Sequence, residues 1–77
     1  MSTTATTSEH LVRMANDIGA FFEVMPDQHQ AAKDVATHIK KFWEPRMQRS
    51  FLEYLKAHGD QELKPVVREA VREIRPS

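Results

Sequence analysis

Four histidines offer the most obvious chemistry in this chain: His10, His29, His38 and His58 are of a type that ligates metals and moves protons near neutral pH. Their spacing argues against a metal. None forms a His-x3-His pair that would set two imidazoles on one helical face, and no carboxylate motif accompanies them. They read as scattered surface or boundary residues, with His58 beside Gly59 suited to a helix C-terminus, where the dipole favours a cation. Nucleophilic catalysis has no better support. Ser50 lacks a glycine elbow and a histidine at a meaningful offset. Gly19 and Gly59 lie too far apart to form a phosphate-cradling loop. The absence of cysteine removes thiolate zinc sites, thiolate-held iron–sulfur clusters and cysteine nucleophiles. No residue is therefore assigned as catalytic, cofactor-binding or metal-ligating.

Recognition chemistry is better represented. Lys40-Lys41-Phe42-Trp43-Glu44-Pro45-Arg46-Met47 gathers the only tryptophan, two further large apolar residues and several cations around a helix-breaking proline. Aromatics, methionine and arginine are the types enriched at the centres of protein interfaces. Lys41, Phe42, Trp43, Pro45 and Arg46 are the candidate partner-binding residues here. Taken singly, Phe42 and Met47 also suit an ordinary bundle core, with Trp43 capping it.

The elements that must position this corner are set by periodicity and punctuation. Residues 1–8 are polar and aperiodic and are expected to be a disordered tail, with Ser8 placed to cap the first helix. Leu11, Met14, Ala15, Ile18, Phe21, Phe22 and Met25 recur at helical spacing, and Val12 and Gly19 widen the apolar arc to about 180°. A small bundle needs less than that from one helix. Met14 and Phe21 sit on the flank left over, which adds them to the candidate partner-binding residues. Pro26 stops this helix and Asp27 can cap the next. In the second, Ala32, Val35, Ala36, Ile39, Phe42 and Trp43 make the apolar stripe, and Lys40 and Lys41 occupy the last turn. Pro45 suits the first position of a third helix, whose inner face carries Met47, Phe51, Tyr54, Leu55 and His58, with Leu52 at its margin. Gly59 ends it. Pro65 opens a fourth, with Val66, Val67, Ala70, Val71 and Ile74 inward and Arg68, Glu69, Arg72 and Glu73 outward. Glu69 and Arg72 stand at ion-pair spacing. The expected fold is all-α: a bundle of four short helices at about 9–24, 28–43, 45–58 and 65–75, forming one helical domain over 9–77.

The totals set outer limits. A chain of 77 residues buries only about 60–65% of its unfolded surface, so it is marginally stable and gains from a partner. Its 11 basic and 11 acidic side chains balance, but unevenly: residues 1–39 carry a net −3 and residues 40–77 a net +3. Such an asymmetry steers a protein partner rather than gripping a phosphate backbone. No secretory signal or membrane-length apolar run is present, which points to a cytoplasmic protein that meets no membrane. The alternative from another class is a small helix-turn-helix-like DNA-binding regulator, its second and third helices broken at Glu44-Pro45 and Arg46, Arg49 and Lys56 facing the groove. Glu44, Glu53, a turn without glycine and the zero net charge oppose it, so no nucleic-acid partner is expected.

Three blocks carry a family resemblance. Leu11-Val12-Arg13-Met14-Ala15-Asn16-Asp17-Ile18-Gly19-Ala20-Phe21-Phe22, then Lys41-Phe42-Trp43-Glu44-Pro45-Arg46-Met47, resemble the delta subunit of soluble NAD-dependent formate dehydrogenases. Pro65-Val66-Val67-Arg68-Glu69-Ala70-Val71 is similar to that family's last helix. The likeness spans about residues 9–75. It implies a non-catalytic accessory subunit of a cytoplasmic complex that oxidises formate to carbon dioxide and reduces NAD. It also implies a catalytic alpha subunit as partner, and support of complex stability or of cofactor insertion. In such complexes the bis-pterin molybdenum (or tungsten) cofactor, the iron–sulfur clusters, FMN and NAD reside in other subunits, and this chain is expected to bind none. Without its partner, the exposed apolar arc of the first helix would favour a homodimer.

Overall fold

Proline, aspartate and glycine divide the chain where their backbone chemistry demands it. A computed structural model of the chain describes residues 8–75. It has four helices: α1 (Ser8–Phe22), α2 (Gln28–Phe42), α3 (Pro45–His58) and α4 (Pro65–Ile74). No strand occurs among the described residues, and the architecture is the expected all-α bundle. The tail expected over residues 1–8 lies outside the described residues except for Ser8, which already belongs to α1.

The ends show the local physics. Asp27 caps α2, its Oδ1 accepting from the backbone N–H groups of His29 (3.0 Å) and Gln30 (3.2 Å). Pro45 and Pro65 open α3 and α4, where a missing N–H costs nothing. Gly59 follows α3 at a φ of +85°, a conformation that side chains disfavour. Helix α1 stops two residues earlier than its pattern suggests. The Gln28 side-chain amide donates to the carbonyls of Glu23 (2.9 Å) and Met25 (2.8 Å), holding the α1–α2 link as a turn.

Helices α1 and α2 each pack against the other three, α2 most extensively against α4, whereas α3 and α4 barely touch. Phe51, Ile39, Val35 and Val67 are the largest fully buried side chains, and no polar residue is buried among the described ones. Small residues let the backbones approach: Ala15, Ala31, Ala32, Ala36 and Ala70 are all buried. The tightest approach is at Gly19. A Cβ there would stand 2.5 Å from Val67 Cγ2 and 3.2 Å from Val66 Cγ1, so α4 lies against a bare stretch of α1.

Two expected core positions turn out to be surface. Phe42, in the last turn of α2, is left in solvent beside His38. His58 is exposed at the end of α3, its ring tilted against that of Tyr54 with centroids 4.3 Å apart. One polar clamp joins segments remote in sequence. Asn16 of α1 donates through Nδ2 to the Glu62 carbonyl and accepts through Oδ1 from the Lys64 N–H, both at 2.9 Å. Leu63, between them, is thereby seated in the core.

Candidate docking surface

Adjacent residues at the α2–α3 corner take opposite directions. Trp43 is 5% exposed, and its ring meets Phe51 edge-on at 5.4 Å. Its backbone N–H still donates to the Ile39 carbonyl, and its own carbonyl accepts from Gln48 Nε2 at 2.9 Å. Trp43 is therefore core, and the corner presents no tryptophan to a partner. Phe42, one residue earlier, is 67% exposed.

Phe42 belongs to a row of aromatic side chains on α1 and α2. Its ring lies tilted against His38 at 4.7 Å, His38 lies 6.4 Å from Phe22, and Phe22 meets Phe21 edge-on at 5.1 Å. Phe21 is 74% exposed, and Val24, in the turn beyond it, is 81% exposed. Asp17, Ile18, Phe21, Phe22 and His38 line a shallow depression along this row. A second depression, between α1 and the start of α3, is lined by Leu11, Met14, Met47, Glu44 and Arg46 among others. Met14, Asp17, Ile18 and Phe21 succeed one another along a single flank of α1, so that flank borders both depressions.

The seven sequence candidates thus fall into three groups. Met14 and Arg46 come together at the second depression. Phe21 and Phe42 stand at the two ends of the aromatic row. Lys41 and Pro45 are exposed beside the corner, and Trp43 is withdrawn into the core. Sequence reasoning missed His38 and Val24. The i, i+4 spacing of His38 and Phe42 was a signal for the first, since it places both on one helical face.

Charge surrounds these surfaces with few internal partners. Among the described residues Lys64 Nζ pairs with Glu23 Oε2 at 3.5 Å, and His29 Nδ1 lies 2.6 Å from Glu69 Oε2, a charged pair only when the imidazole is protonated. Glu69 therefore serves His29 and not Arg72, its expected partner. Loss of solvent around its half-buried ring pushes the Tyr54 phenol above its ordinary value of 10.0, and the carboxylates of Glu62 and Glu9 add to this. Tyr54 Oη donates weakly to Glu62 Oε1 at 3.5 Å. No group of three or more His, Cys, Asp or Glu is gathered closely enough to hold a metal among the described residues. Nor is any described helix long and apolar enough to cross a membrane. What this arrangement offers chemically is apolar contact area rimmed by charge.

A family model described as the NADH-dependant formate dehydrogenase delta subunit, FdsD, matches residues 10–71. The chain belongs to the FdsD family. That match contains all seven candidate residues and the whole aromatic row. Membership makes the chain a delta subunit of an NAD-dependent formate dehydrogenase by family, in line with the resemblance read from its three sequence blocks. Comparison with curated proteins and with solved structures returned no significant match.

Proposed function

We propose that this chain is a non-catalytic accessory subunit that binds the large catalytic subunit of an NAD-dependent formate dehydrogenase. Its docking surface is the Phe21–Phe22–His38–Phe42 row, with Met14, Arg46, Lys41 and Pro45 at its margin. The observation that carries the reading is this aromatic row, exposed on a chain of the delta-subunit family. Burying each exposed phenylalanine against a partner is worth about 1.5–3 kcal/mol, a strong incentive for a chain of marginal size. In the assembled cytoplasmic complex the chain supports stability or cofactor insertion. The pterin-bound molybdenum, the iron–sulfur clusters, FMN and NAD stay in other subunits. A chain without cysteine has no thiolate with which to ligate a cluster. When the partner is absent, the same row draws two copies of the chain together.

The test is co-purification with an affinity-tagged large subunit from the host. The native chain is expected to be retained. A Phe21→Ser/Phe42→Ser variant should keep its helical circular dichroism and lose affinity by at least about a hundredfold. Failure of the native chain to co-purify sinks the proposal. Native-strength binding by the double variant removes the aromatic row from it.

A further inference from the structure

A second surface, on α3 and α4, has the opposite character. Arg49, Leu52, Glu53, Lys56 and Arg75 line one depression, and its three cations are exposed. Glu53 is the only acid in the ring. It stands at helical contact spacing from Arg49 and Lys56, yet forms an ion pair with neither. Arg72, one turn before Arg75, likewise forms no ion pair among the described residues. Half-buried Leu52 supplies an apolar patch in the same depression.

We propose that this depression is a second contact surface, and that its occupant is an acidic segment of the large catalytic subunit. The segment presents carboxylates to Arg49, Lys56 and Arg75 around an apolar side chain that rests on Leu52. Planar guanidinium groups suit bidentate carboxylate recognition. A protein segment fits better than a nucleic acid. Glu53 lies within the ring, the cations form a compact cluster instead of a band, and the whole chain carries no net charge. This inference rests on the reading that the chain docks on the catalytic subunit, and it adds a charge-directed contact separate from the aromatic row.

The experiment measures affinity of the full chain for the purified large subunit at low and high salt. Arg49→Glu/Lys56→Glu is compared with the native chain and with Lys33→Glu, an exposed charge reversal on α2. A neutral Arg49→Gln/Lys56→Gln variant covers the case in which charge reversal prevents folding. Loss of affinity by about tenfold at low salt is expected for the α3 reversal, a smaller loss for the neutral variant and none for Lys33→Glu. The difference should vanish at high salt, as screening removes the attraction. Unchanged affinity and salt dependence in both α3 variants would overturn the second surface while leaving the aromatic row intact. No binding by the native chain would overturn both. Two other results reassign the depression and overturn its proposed occupant: a loss confined to self-association, or duplex DNA binding that the α3 reversal abolishes.

Discussion

Phe42 and Trp43 are neighbours of similar chemistry with opposite surroundings, and the backbone explains the difference. Phe42 is the last residue of α2, so its direction obeys the helical wheel and leads to the flank beside His38. Trp43 is the C-cap, yet its N–H still donates to the Ile39 carbonyl. One step of about 100° past Phe42, it therefore stays in register with buried Ala36 and Ile39, and its ring meets Phe51. Trp43→Ala should therefore cost about 3–5 kcal/mol, the range for emptying a buried large aromatic site. A chain of this length has about 4–12 kcal/mol of stability in total, so this loss is large. Phe42→Ala should stay within about 0.5 kcal/mol of the native chain, as an exposed substitution does. Thermal unfolding monitored by circular dichroism checks the pair. The midpoint for Trp43→Ala should fall by about 15–30 °C, and an unchanged midpoint would place Trp43 outside the core. Composition alone identified this corner as unusual. Periodicity set both rings in the inward stripe of α2; that Trp43 stays there while Phe42 is left in solvent was not legible, because nothing local to α2 says which neighbours reach its last turn.

Helix boundaries were far more legible than helix contacts. Asp27, Pro45, Gly59 and Pro65 each act on their own backbone, so α2, α3 and α4 start where the residue types imply. Longer-range chemistry has no such local signature. The Asn16 clamp joins residues 46 and 48 positions apart, and nothing in the polar pattern of α1 announces it. Gly19 is similar: its sequence neighbours show a wide apolar arc, whereas its role depends on Val67 in another helix. Alanine is favoured over glycine within a helix by about 1 kcal/mol, which alone would make Gly19→Ala stabilising. The overlap with Val67 outweighs that, because a fully buried β-branched side chain has little room to rotate away. Gly19→Ala should thus destabilise by about 1–2 kcal/mol net, in the range for overpacked cores. Placed in a Val67→Ala background, the same change should become neutral or favourable. Denaturant unfolding of the four proteins in this cycle tests it. If Gly19→Ala costs the same in both backgrounds, the close approach of α1 and α4 is not what selects glycine.

At the scale of the whole molecule, a small core and an unpartnered aromatic row are two aspects of one design. Among the described residues sixteen buried apolar side chains hold the bundle together, while Phe21, Val24 and Phe42 are largely in solvent and lie outside that core. Binding that engages only the folded state adds to stability by mass action, about 2.7 kcal/mol when the partner stands at a hundred times its Kd. The gain should be readable as slower amide hydrogen exchange at Val35, Ile39 and Val67, which lie deep in the core and open only when the bundle does. Exchange at these amides should slow by about a hundredfold on adding the large subunit at that excess. Mass spectrometry separates this chain's signal from its partner's. The Phe21→Ser/Phe42→Ser variant should begin with native protection, because neither ring is part of the core, and gain almost none on mixing. Reduced protection in the free variant would instead mean that the row contributes to the fold. The bundle would then owe its stability to the very surface assigned to its partner.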